Sequence, residues 1–231
     1  MTTAWFHCFA GTAGDMTMAA LVAAGADPLE VIDIVGALPL DGYALAFERV
    51  QRCGVGATQA LVAVHEHDHH HDHALHRPYA HIRTLLDEAD LPARVRDRAH
   101  RTFRALAEVE AAIHGTSIDE VEFHEVGAVD AIVDVVGACA ALEVLGVDRI
   151  VCSTISVGTG TVRAAHGVLP NPAPAVVALL AGRGAPSAGV AEPMELATPT
   201  GVALMTALAD EFGPMPAMQV RAVGYGAGSR D

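Results

Sequence analysis

Lysine is absent from the 231 residues, so all 14 basic side chains are arginine. That omission excludes a lysine phosphate loop, a Schiff-base lysine and a lysine general base. Any anion held here must be held by arginine, by backbone amides or through a metal. Aromatic residues make up only 4% of the chain, and alanine, valine and glycine supply most of the apolar bulk. Basic charge is outnumbered by 28 acidic residues, for a formal net charge of −14. This balance excludes a binder of duplex DNA or anionic membrane, which must displace counterions with basic surface. No apolar run reaches the ~20 residues of a bilayer span and no basic-then-apolar leader opens the sequence, so a cytoplasmic protein is expected. The four cysteines, Cys8, Cys53, Cys139 and Cys152, form no Cys-x-x-Cys pair and read as reduced, small, buried residues. No Gly-x-Ser-x-Gly, His-Glu-x-x-His or dinucleotide fingerprint is present.

What is present suffices for a core, since 52% of the residues are hydrophobic. One domain over 1–231 is expected. Residues 5–9 read as a strand, and Ala10-Gly11-Thr12-Ala13-Gly14-Asp15-Met16 reads as a tight turn into a helix that ends near Gly25. Pro28 suits a first helical turn, with Leu29, Ile32 and Val35 continuing at helical spacing. Residues 43–50 and 59–65 read as two strands joined through Gly54-Val55-Gly56. A long helix is expected after Asp90-Leu91-Pro92, with Val95, Ala99, Phe103, Leu106, Val109 and Ile113 on one face, Arg94, Arg98 and Arg101 elsewhere, and Gly115 as its stop. A nearly all-apolar helix spans 126–145, and residues 150–153 read as a strand. Helices follow at 173–180 and 201–212, and a strand at 219–223. Strands and helices are mixed without strict alternation, which predicts an α+β (mixed α/β) fold with a mixed sheet and packed helices.

Between these elements the composition breaks. His65-Glu66-His67-Asp68-His69-His70-His71-Asp72-His73 holds six histidines and three acids in nine residues. A segment with no apolar periodicity is expected to be a flexible loop, over about 65–78. Imidazole binds nickel, copper, zinc and cobalt, and the interleaved acids lower the cost of gathering cations. A loop of this kind binds loosely, which suits capture and delivery. The alternative is a solvated loop with incidental metal affinity.

The best candidate for a fixed site is Phe123-His124-Glu125-Val126-Gly127-Ala128-Val129-Asp130-Ala131-Ile132-Val133-Asp134. On a helix Asp130 and Asp134 are i,i+4 and share a face, with Gly127, Gly137, Ala138 and Ala141 near it leaving room for a ligand or another backbone. Two acids one turn apart need a cation, an arginine or a shared proton. A metal is one answer, and structural pairing with Arg149 or Arg163 is the other. His124 and Glu125 fall at the helix entrance, where exposed amides favour an anion. Asp15 follows a glycine-rich turn at a strand end, a common ligand position, although a helix N-cap is its plainer role. His166-Gly167 reads as a loop histidine. Thr198-Pro199-Thr200-Gly201 offers two hydroxyls before a helix, for capping or for an anion.

These segments, together with Pro172-Ala173-Pro174-Ala175, Glu195-Leu196-Ala197-Thr198-Pro199-Thr200-Gly201 and Gly224-Tyr225-Gly226-Ala227-Gly228, occur in an order that resembles the LarC family of nickel-insertion proteins. The resemblance covers essentially the whole chain, and the His-Glu-Val-Gly-Ala-Val-Asp block is its most specific part. His7 and Ala10 stand where the family usually carries an acid and a serine. The resemblance implies nickel insertion into pyridinium-3,5-bisthiocarboxylic acid mononucleotide, a CTP-consuming, lyase-type cyclometallation that completes the nickel-pincer nucleotide cofactor of lactate racemase and related enzymes. Nickel ends on two sulfurs and a ring carbon, so a ring proton must leave. Carried over by position, His65, His67, His69, His70, His71 and His73 recruit nickel. His124, Glu125, Asp130 and Asp134 meet metal and substrate, with His124 or Glu125 as the base. Gly11, Gly14, Asp15, His166, Thr198, Thr200 and Gly201 contact the nucleotide. The family continues past the position of Asp231 into a CTP-binding domain, so CTP with manganese or magnesium is expected on that domain or on a separate subunit. The other expected partner is the nucleotide precursor. A homo-oligomer fits the apolar, small-residue helix surface. Two other readings compete: a nickel or zinc storage and delivery protein without catalysis, and a divalent-metal-dependent nucleotide-handling enzyme using Asp15, Asp130 and Asp134.

Overall fold

The computed structural model describes residues 1–64, 77–123, 128–164 and 167–229. The first elements are β1 (Thr2–Phe6), α1 (Gly14–Ala23), α2 (Pro28–Val35), β2 (Tyr43–Arg52) and β3 (Val55–Val64). Next come β4 (Arg77–Pro78), α3 (Tyr79–Glu88), α4 (Ala93–His114), β5 (Glu122–Phe123) and α5 (Val129–Val144). They are followed by β6 (Val147–Cys152), β7 (Ile155–Val157), β8 (Thr161–Ala164), β9 (Gly167–Pro170) and α6 (Pro174–Arg183). The last are β10 (Ser187–Gly189), α7 (Pro199–Leu208), β11 (Glu211–Phe212) and β12 (Gly226–Ala227). β1 and β11 flank β6 in parallel, β2 and β3 form an antiparallel hairpin, and β12 adds to β3 in parallel. The mixture of pairings and helices is the α+β fold expected from the sequence.

The core is organised around α5, whose residues are apolar on every side and buried from Val129 to Leu142 apart from Asp130 and Asp134. A helix without a polar face must be covered on all sides, and α1, α2 and α4 cover this one. α1 comes close because Gly137 offers no side chain: a Cβ there would stand 2.2 Å from Met18 Sδ. The space expected beside the two aspartates for a ligand is at this point filled by Met18.

Several elements depart from expectation. The first strand runs over Thr2–Phe6, because its register with Val147–Cys152 ends there and Phe9 passes to the surface. The β2–β3 hairpin is tighter, with Arg52 paired to Val55 across Cys53-Gly54, both at positive φ (49° and 79°), as a two-residue hairpin turn requires. Cys53 is therefore exposed, not buried; Cys8, Cys139 and Cys152 are buried as expected, and all four are free thiols. Helix α3 was not expected. Arg98 is buried, its guanidinium donating to the Val147 carbonyl at 2.6 Å and lying 3.7 Å from Glu143. Phe212 belongs to β11, since α7 stops at Leu208. Residues 219–223 form no strand; Val220 and Val223 are exposed, and the chain is held instead through Gly224 and Gly226.

Candidate functional site

Three helices begin at one place. α1 starts at Gly14 behind Ala13, α5 at Val129 behind Ala128, and α7 at Pro199 behind Thr198. Their first turns line a cavity of about 230 Å³, bounded by Ala13, Gly14, Asp15, Asp130, Ala131, Asp134, Glu195, Thr198, Pro199 and Thr200. Close approach is bought with glycine. A Cβ on Gly14 would meet Asp134 and Thr200 at 2.8–2.9 Å, and one on Gly201 would lie 2.4 Å from the Thr12 carbonyl. The segment before α7 is zipped to the β1–α1 turn: the Thr12 amide donates to the Leu196 carbonyl at 2.9 Å, and the Thr198 amide to the Thr12 carbonyl at 3.0 Å.

Thr198 caps α7, its hydroxyl accepting from the Gly201 amide at 3.1 Å. Asp15 is not a cap. It sits inside the first turn of α1, whose N-cap Ala13 makes no side-chain bond, and it lines the cavity. Asp130 accepts from the Ala131 amide at 2.8 Å, which satisfies one of its oxygens and part of the helix end.

The acids repel in a partly dry setting. Burial, reinforced by Asp15 and Asp130, pushes the Asp134 carboxyl up to about 8, with the Asp15 amide pulling the other way. Its Oδ1 is buried with no hydrogen-bond partner. Asp15 is raised too, chiefly by burial and further by Asp130, against the pull of the Met16 amide and its own. Three helix amino ends supply a favourable field for negative charge, which lets these carboxyls crowd together. Arginine does not resolve the repulsion: among the described residues neither Asp130 nor Asp134 forms an ion pair, while Arg149 pairs with Glu211, and Arg94 and Arg98 with Glu143. The donors fit a divalent cation with oxygen ligands. They do not complete its shell, for no three His, Cys, Asp or Glu side chains among the described residues converge to hold an ion alone. An ion here keeps open positions for water or for another ligand.

Of the residues singled out in the sequence, Gly14, Asp15, Asp130, Asp134, Thr198 and Thr200 meet in this cavity. Gly11 and Gly201 do not line it. The Gly11 amide donates to the Cys8 carbonyl at 3.1 Å and its α-carbon packs on Leu196, while the Gly201 amide is the one taken by Thr198. His65, His67, His69, His70, His71, His73, His124, Glu125 and His166 lie outside the described residues. Sequence reasoning missed Glu195, the acid on the wall supplied by the segment before α7. Its signal was its place three residues before Thr198 in a block already marked.

Geometry alone thus defines an α+β protein with an acidic cavity at the amino ends of three helices. The chain belongs to the nickel insertion protein family, which it matches over residues 4–231. It is 48% identical over 234 residues to a Geobacter sulfurreducens protein named "Putative nickel insertion protein", covering 100% of this chain and 58% of that one. It is likewise 48% identical over 231 residues to the pyridinium-3,5-bisthiocarboxylic acid mononucleotide nickel insertion protein of a Nocardioides species, covering 100% of this chain and 57% of the relative. The chain therefore spans a little over half the length of these relatives. No solved structure matches it.

Proposed function

We propose that this chain carries the nickel-handling half of a cyclometallase, receiving Ni²⁺ at the acidic cavity and passing it into pyridinium-3,5-bisthiocarboxylic acid mononucleotide. The observation that carries the reading is Asp134. Its buried Oδ1 lacks a partner while Asp15 and Asp130 crowd it, an arrangement relieved by a cation. Oxygen ligands suit a substrate metal in transit. They hold nickel more weakly than thiocarboxylate sulfur does, so transfer to the nucleotide runs downhill. An incomplete shell leaves positions for those sulfurs.

His65 to His73 recruit the ion in this reading, and the cavity orients it. The bond to the ring carbon forms as the ring proton leaves to His124 or Glu125, the groups just upstream of α5. The Thr200 hydroxyl and the amino ends of α1 and α7 suit the nucleotide phosphate. CTP, with manganese or magnesium, is handled by a further domain or subunit, and the reaction takes place in the cytoplasm. The test is a reconstituted insertion assay supplied with that domain, nickel, CTP and precursor. Asp130→Ala and Asp134→Ala are expected to abolish cofactor formation in a folded chain, and unchanged activity would refute the reading.

A further inference from the structure

Glu195 stands in the cavity wall on a segment with no regular secondary structure, so something other than a helix or strand must fix it. Both flanking peptide units are held. On its carboxyl side, the Leu196 carbonyl accepts from the Thr12 amide at 2.9 Å, and Gly11 lies so close that a Cβ would be 1.8 Å from that oxygen. On its amino side, the Met194 carbonyl accepts from Asn171 Nδ2 at 2.6 Å, and a Cβ on Gly158 would again be 1.8 Å from the oxygen. The Asn171 carboxamide also donates to the Thr159 carbonyl at 3.0 Å. Thr159 in turn takes the same segment two residues earlier, its amide donating to the Glu192 carbonyl at 2.8 Å.

Asn171 is 7% exposed, and its Oδ1 is buried without a partner. A buried amide that leaves its acceptor unused and spends its donors on two carbonyls tolerates a desolvation cost that a general packing residue avoids. Neither carbonyl belongs to a helix or a sheet ladder at this point, and one of them is the peptide oxygen that leads directly into Glu195.

We infer that Asn171 is a positioning residue for the cavity: by holding the Met194–Glu195 peptide it fixes the place of Glu195 in the wall that also carries Asp15, Asp130 and Asp134. This rests on the cavity being a cation site, and it adds a further acid in the cavity wall and the residue that holds its backbone in place. Aspartate at position 171 would be isosteric but would turn an oxygen toward two carbonyl oxygens, releasing the segment without leaving a hole.

The probe is Mn²⁺, read by the electron paramagnetic resonance signal of the free ion. Manganese favours carboxylate oxygen over imidazole, so the complete chain can be used with its histidine tract in place. Glu195→Gln and Asn171→Asp are each expected to weaken binding about 10-fold, the lower range for residues that orient a metal ligand. The double variant should bind no more weakly than Glu195→Gln alone, because a residue acting through Glu195 has nothing left to act on. Additive losses, or an Asn171→Asp variant that folds and binds like the parent, would overturn the inference. If Asn171→Asp does not fold, Asn171→Ser enters the same cycle, and failure of both to fold would assign Asn171 to general stability and overturn it as well. Absence of manganese binding to the parent chain, or binding indifferent to Asp130→Asn and Asp134→Asn, would sink the cavity reading itself. Binding that depends on those aspartates but not on Asn171 would sink only the present inference.

Discussion

Gly14 lies directly on Asp134: a Cβ added to the glycine would stand 2.8 Å from the Asp134 Cβ and 2.9 Å from Oδ2. The first turn of α1 and the first turns of α5 are in register only because that position has no side chain. Gly14→Ala is therefore expected to push the Asp134 carboxyl aside, even though alanine is the better helix former. Overpacking of this kind costs on the order of 1–3 kcal/mol. Thermal unfolding should show a lower midpoint, and any stabilisation of the parent by nickel should be lost in the variant.

Asp134 makes the cavity pH-sensitive when no divalent ion is supplied. Its folded-state carboxyl is pushed up to about 8 from an ordinary 3.8. Between those values the folded chain keeps a proton that the unfolded chain gives up, so stability falls as pH rises through that window. Asp134→Asn cannot ionise and should lose this decline. Calorimetry without divalent ions is expected to find the variant more stable than the parent above pH 8. The difference should shrink as pH is lowered toward the ordinary carboxyl range.

A cation entering the cavity at neutral pH must displace the Asp134 proton. Nickel binding near pH 7.5, where most free imidazole is already neutral, is expected to release more protons from the parent than from Asp134→Asn. Titration calorimetry in buffers of differing ionisation enthalpy measures that difference. Equal proton release would assign the protons to other groups.

The Thr198 hydroxyl closes the amino end of α7 at the rim of the cavity. Thr198→Ala should cost about 1 kcal/mol, the usual loss for an N-cap, and Thr198→Ser should restore most of it. Chemical denaturation of the three proteins would read this directly.

What could be read from the chain was what local pattern determines. The apolar stripe of α4 and its Gly115 stop, the nearly all-apolar α5, and the i,i+4 pairing of Asp130 with Asp134 all appear where spacing puts them. Glu195 was marked by its block alone, because the bonds that hold its segment at the cavity come from Thr12 and Asn171, which are distant in sequence. Arg98 sits at a buried helical position, and its charge disguised it until the Val147 carbonyl and Glu143 supplied partners. α3 was hidden by its histidine-rich neighbourhood, although Ile82, Leu85 and Leu86 bury a regular stripe. Residues 219–223 alternate like a strand but find no neighbour to pair with, so alternation alone misled.

Gly224 and Gly226 rest on the carbonyls of Ala20 and Met16, too close for any side chain, and β12 beside them pairs with β3. The backbone of α1 thus receives its outer cover from residues made some two hundred positions later than itself. While the protein is being synthesised, that flank of the helix stays wet until the ribosome has moved well past residue 226. Assembly of the acidic cavity, whose wall α1 helps to build, accordingly waits on a stretch of chain made long after α1 itself.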